Sequence, residues 1–179
     1  MLERGELSQV TANAELADRL MATARQHLAS VRLLADSDPY LAYVAVYDAI
    51  RKALSALLQI QGLRATTSGG HLAIMHAVQA QFGASMGAIL RPVDRIRVTR
   101  HEAEYPGQAT YIDQDTVLDD LPKAEAVVEA GRHGGTLHHD RRSHIYHVIR
   151  KRQKNCPALR GDRRSRSGAI LAMPSSQLV

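Results

Sequence analysis

"DSDPYLAYVAVYDAIRKALSALLQIQG", residues 36–62, decides how the chain is read. Asp38 is placed to accept from the first amides of a helix. Pro39 suits the first helical position, where its missing N–H costs nothing. Tyr43, Tyr47, Ile50, Leu54, Leu57/Leu58 and Gln61 then recur at steps of three and four, the period of one helix face. Tyr40, Tyr43 and Tyr47 lead into Ile50 and read as core or dimer-interface residues rather than as a base-stacking platform. Gly62 fits a left-handed stop. So long a helix with one apolar side needs partners, and the rest of the chain must supply them.

Further helical patterns lie on both sides. Asn13 can cap a helix running to about Ala35, with Leu16, Leu20, Ala24, Leu28, Val31 and Leu34/Ala35 along one side. "LRATTSGG", residues 63–70, is a turn in which Thr67 or Ser68 can cap a third helix. That helix spans His71 to about Phe82, with Leu72, Met75, Val78/Gln79 and Phe82 inward and Gly83 as its end. A fourth span runs roughly from Ser85 to Tyr105, and Pro92 within it predicts either a start there or a kink. "DQDTVLDDLPKAEAVVEAG", residues 113–131, reads as a fifth helix, capped near Asp113 or Asp115, bent at Pro122 and stopped at Gly131. Residues 1–12 show no period and are expected to attach loosely. The expected fold class is all-α, an up-and-down bundle of about five helices over residues 13–130.

Composition agrees. A chain of 179 residues suits one domain. Trp is absent and Phe82 is the only Phe, which argues against a sandwich or barrel. Cys156 stands alone, so no internal disulfide can form, and the expectation is a reducing, cytoplasmic setting. No apolar leader and no run of about 18 apolar residues is visible, so neither a signal peptide nor a membrane span is expected. The net charge of +5 is unevenly spread. Residues 1–130 hold 12 Lys/Arg and 16 Asp/Glu, net −4, while residues 131–179 hold 11 and 2, net +9. The tail, rich in Arg, Gly and Ser, is expected to be a disordered basic extension.

The densest chemistry lies in "RVTRHEAEYPG", residues 97–107. On a helix Arg97, Arg100, His101 and Glu104 share one face, since steps of three and four align. One reading is a solvated helix end, whose salt bridges are worth only about 0.2–0.5 kcal/mol each. The other is phosphate recognition. Arg100 would grip the phosphate through its two parallel donors, Glu104 would orient Arg100, and His101 would move a proton near neutral pH. No metal site is expected: His71 and His76, five apart, do not share a helix face, and no thiol or carboxylate is spaced to help. Gly69–Gly70 lack the strand and Lys of a phosphate loop, so no cofactor is expected.

A long first helix, "YDAIRKALSALLQIQG" (47–62), "TTSGGHL" (66–72), a helix opening "GGHLAIMHAV" (69–78), and a late Arg-plus-polar motif resemble, over about residues 13–130, the HEPN superfamily of small all-α domains. That family's motif is an Arg, a polar residue, three more residues and a His. Arg100 matches the Arg and His101 the polar residue, while Tyr105 stands in the place of the terminal His. Arg95 with His101 is a second register. A phenol titrating near about 10 is a weak base at neutral pH, so the departure bears on RNA cleavage. The resemblance implies a homodimer and a toxin-type endoribonuclease with Arg100, His101 and Tyr105 as its site. It equally implies a non-catalytic module binding RNA, nucleotide or a minimal nucleotidyltransferase partner, with Tyr105 as the residue modified. A plain dimerising bundle is the third possibility.

Overall fold

The computed structural model describes residues 1–104 and 111–137, excepting the side chains of 133–137. Strand β1 (Leu7–Gln9) is followed by α1 (Ala14–Leu34), α2 (Pro39–Ile60), β2 (Leu63–Ala65), α3 (Gly70–Leu90), α4 (Val93–Glu104) and α5 (Gln114–Leu137). The fold is all-α apart from the small antiparallel pair β1–β2, in which Leu7 lies opposite Ala65 and Gln9 opposite Leu63. Tyr105 and the tail beyond residue 137 lie outside the described residues.

The caps of the first two helices follow the sequence. Asn13 accepts from the amide of Leu16, Asp38 accepts from that of Leu41, and Pro39 takes the first turn. Helix α2 is the hub, touching each of the other four helices. Tyr43, Val46, Ile50, Ala53, Leu54, Leu57 and Leu58 are all buried along it. Tyr43 meets Asp120 and Ala53 faces Gly131, so α5 runs in the same direction as α2. Arg32 pairs with Glu125 and Met21 faces Gly131, so α1 runs against both.

Several boundaries differ from the sequence reading, each for a local reason. Residues 1–12 do not hang loosely: Leu7 is buried, and Gly62 (φ 71°) turns the chain so that β2 returns along β1. Helix α3 passes through Gly83 and Gly87 to Leu90. A glycine inside a helix costs about 1 kcal/mol, which burial of Phe82, Met86 and Leu90 on one face offsets. Pro92 divides α3 from α4, and its carbonyl accepts from Ile96 as α4 begins. Helix α5 likewise runs past Gly131. There a Cβ would stand 3.0 Å from Met21 Cε and 3.5 Å from Ala53 Cβ, so the glycine permits close helix approach rather than a stop. Along α1 the inward residues are Ala17 and Met21, with Leu16 and Leu20 at the edge. Tyr40 is exposed, unlike Tyr43 and Tyr47, and Leu72 is turned outward. Among the described residues no helix is long and apolar enough to cross a membrane.

Leu54 is 2% exposed and Leu33 is 81% exposed. In urea denaturation Leu54→Ala is expected to cost about 2–5 kcal/mol, the range for a buried leucine, and Leu33→Ala less than about 0.5 kcal/mol.

Candidate functional site

The site depends on how α4 is anchored. Asp120, on α5, is 1% exposed. Its carboxylate accepts from the Tyr43 hydroxyl at 2.6 Å, from Lys123 Nζ at 2.8 Å and from Arg95 Nη1 at 3.0 Å, while Arg95 Nη2 donates to its other oxygen. These donors hold the carboxyl below its ordinary value against the burial that would raise it. Burial, followed by the adjacent carboxylate, pushes the Tyr43 phenol well up, so it remains a donor. Arg95 is thus committed to tying α4 to α5, which takes it out of the second motif register.

With that face of α4 tied down, Arg97, Arg100 and His101 turn toward the start of α3. They line an open cleft of about 280 Å³ together with Tyr47, Thr67, Ser68, Gly69, Gly70, His71 and Leu72. The expectation that Thr67 or Ser68 caps α3 is not met. Gly69 is the N-cap, α3 has no side-chain cap hydrogen bond, and both hydroxyl residues face the cleft. The turn is held instead by Thr66, whose hydroxyl accepts from the Gly69 amide at 3.3 Å and whose carbonyl accepts from the Gly70 amide at 3.0 Å. Thr66 is itself bound to the first residues of the chain through its amide, which donates to Glu6. A Cβ at position 69 would collide with the Glu6 carbonyl, so only glycine fits there.

Arg100 is the centre of the cleft's polar contacts. Its Nη2 donates to Glu104 Oε1 at 2.6 Å, and its guanidinium carbon lies 5.7 Å from the centre of the Tyr47 ring. Tyr47 in turn packs against His71, ring centres 5.7 Å apart at 48°. Arg97 is held by Asp94 at 3.0 Å. Burial raises the Tyr47 phenol, opposed by the nearby guanidiniums of Arg97, Arg51 and Arg100. Burial, then Arg51 and Arg100, lower the imidazole of His71 below its ordinary value of 6.5, which keeps the ring neutral at pH 7. No carboxylate is among the cleft's described lining residues. Two guanidiniums, two imidazoles, two aliphatic hydroxyls, the Tyr47 phenol and an uncapped helix start therefore surround one small volume. Such a surface suits an anion, and phosphate above all.

The sequence-predicted residues Arg97, Arg100 and His101 meet here, with Glu104 behind Arg100. Tyr105 lies outside the described residues. His71, Thr67, Ser68 and Tyr47 were not foreseen as neighbours of the motif. The one hint in the sequence was the polar, glycine-rich run just before His71. Among the described residues no three of His, Cys, Asp and Glu are grouped to hold a metal ion. Comparison of the chain with models of known families, with curated proteins and with solved structures gives no match.

Asp120 generates a stability prediction. Arg95 and Lys123 are 54% and 42% exposed, so both can be solvated if the carboxylate is lost. The Tyr43 hydroxyl cannot, and Asp120→Ala is expected to cost about 1–3 kcal/mol, the range for a buried unsatisfied group. Because the carboxyl is depressed in the folded state, its contribution is complete above its ordinary value of 3.8 and is lost as pH falls below it. Asp120→Asn should therefore unfold less steeply than the wild type below about pH 4 in acid titrations followed by circular dichroism.

Proposed function

We propose that this chain is an HEPN-like RNA-directed protein whose cleft holds one phosphodiester and cleaves it by proton transfer between side chains. The observation that carries the reading is the convergence of Arg97, Arg100, His71 and His101 on one cleft at the start of α3. The arginines would neutralise the phosphate, and the α3 amides would add donors to its oxygens. His71, kept neutral by its surroundings, would take the proton of the ribose 2′-hydroxyl as that oxygen attacks phosphorus. His101 would donate to the departing 5′-oxygen. The products are a 2′,3′-cyclic phosphate end and a 5′-hydroxyl end. This assignment keeps His101 in proton transfer and adds His71 beside it, in place of Tyr105 as the alternative.

The HEPN resemblance extends the proposal to the assembly. A homodimer would set two copies of residues 97–107 across a shared cleft. A minimal nucleotidyltransferase, acting as antitoxin, would modify Tyr105. Tyr105→Phe removes only the hydroxyl, so it should block such modification while sparing RNA cleavage.

Purified protein incubated with total RNA is expected to leave cyclic phosphate ends. Arg100→Ala should weaken RNA binding strongly and abolish cleavage while circular dichroism stays unchanged. His71→Gln and His101→Gln should keep RNA binding and each lower the cleavage rate by about 10²–10⁴, the usual worth of general acid–base catalysis. The wild-type rate should rise with pH through a midpoint below 6.5 and lose that limb in His71→Gln. Binding without cleavage in the wild type would assign the chain to the non-catalytic class of RNA-binding modules.

A further inference from the structure

Arg100 holds one carboxylate and leaves another donor idle. Nη2 donates to Glu104, but Nε is buried with no hydrogen-bond partner among the described residues. The pair is also far more sheltered than the Arg19–Glu15 pair of α1. The side chains of Arg100 and Glu104 are 19% and 28% exposed, against 61% and 80% for Arg19 and Glu15. A sheltered pair is screened less by water and salt, so it competes more strongly with any other anion. Arg100 faces the cleft, and Glu104 reaches its guanidinium from along α4, outside the described lining. A carboxylate and a phosphate address a guanidinium in the same way, through its paired N–H donors.

We propose that Glu104 is a built-in stand-in for the ligand's phosphate, a latch that keeps Arg100 occupied until a phosphodiester displaces it. The inference rests on the phosphodiester reading of the cleft and adds its regulation. An entering phosphate takes over Nη2, and a turn of the guanidinium lets it also accept from Nε, satisfying the donor that Glu104 leaves unpaired. Glu104 is then a competitor. The sequence alone suggested the opposite role, an acid that orients Arg100 for its ligand.

The two roles predict opposite signs. A single-stranded 2′-O-methyl RNA oligonucleotide, which cannot be cleaved through its 2′-oxygen, serves as probe in fluorescence anisotropy with the full chain. Low ionic strength keeps the weaker binding of Arg100→Ala measurable. Glu104→Gln is expected to bind about tenfold more tightly than wild type, the worth of one charge-assisted hydrogen bond released to the ligand. In the Arg100→Ala background the same replacement should change affinity by less than about twofold, because the competition acts through that guanidinium. Weaker binding by Glu104→Gln overturns the latch in favour of an orienting role. An equal gain in both backgrounds overturns it too, since it reports only the removal of a negative charge. In either case a loss of binding in Arg100→Ala leaves the phosphodiester reading standing. If Arg100→Ala binds as well as wild type, the phosphodiester reading falls and the latch falls with it.

Discussion

The carboxylate of Asp120 is the interaction on which the arrangement of α4 depends. Few groups are as costly to bury as a charged carboxylate, and this one is accommodated by four donors from three elements. Tyr43 brings in α2, Arg95 brings in α4, and Lys123 closes the set from α5 itself. Apolar packing of Val93 and Ile96 places α4 against the bundle, but apolar contact is non-directional and leaves rotation weakly specified. The two-pronged grip of Arg95 on one buried carboxylate is directional and sets which face of α4 looks outward. Arg97, Arg100 and His101 follow from that choice.

Once α4 is set, rings and guanidiniums together frame the cleft. Tyr47 is buried and His71 half-buried, while Thr67 and Ser68 are exposed. Arg97 and Arg100 are themselves half-buried, each held by an acid of its own helix. Asp94 and Glu104 offset the positive charges of Arg97 and Arg100. His71 loses its proton more readily because of its burial and the nearby positive charges of Arg51 and Arg100. The same groups that would bind an anion thereby prepare a neutral imidazole beside it.

Much of the fold was legible because α2 announces itself through a cap, an N1 proline and an unbroken stripe. Helix ends were harder. Glycine was read as punctuation at 83 and 131, yet at 83 the apolar face continues beyond it, and at 131 the glycine admits a neighbouring helix. Only the packed partner reveals that difference. Strand β1 went unseen because three residues carry too short an alternation to stand out, and its mate lies more than fifty residues away. For the candidate site, the spacing of Arg97, Arg100, His101 and Glu104 on one face was readable from α4 alone. The other half of the cleft was not, since no local pattern says that the turn before His71 comes to rest against α4. Arg95 and Asp120 were equally hidden: twenty-five residues separate them, and each looks like an ordinary surface charge.

The strand pair has a consequence for the order of assembly. Leu7 and Ala65 are partners across the whole of α1 and α2. Closing a loop of that length from an open chain carries an entropy cost that grows with the logarithm of its length. The α1–α2 hairpin removes most of it, because two antiparallel helices bring the residues before α1 and after α2 to the same end of the bundle. Pairing of the strands is therefore favoured once the helical hairpin has formed. Glu6 and Thr66, just beyond the ladder, steady the turn that opens α3. That wall of the cleft therefore rests on a closure that depends on the hairpin, and amides around Thr66 should be reachable by solvent protons while the centre of α2 remains closed.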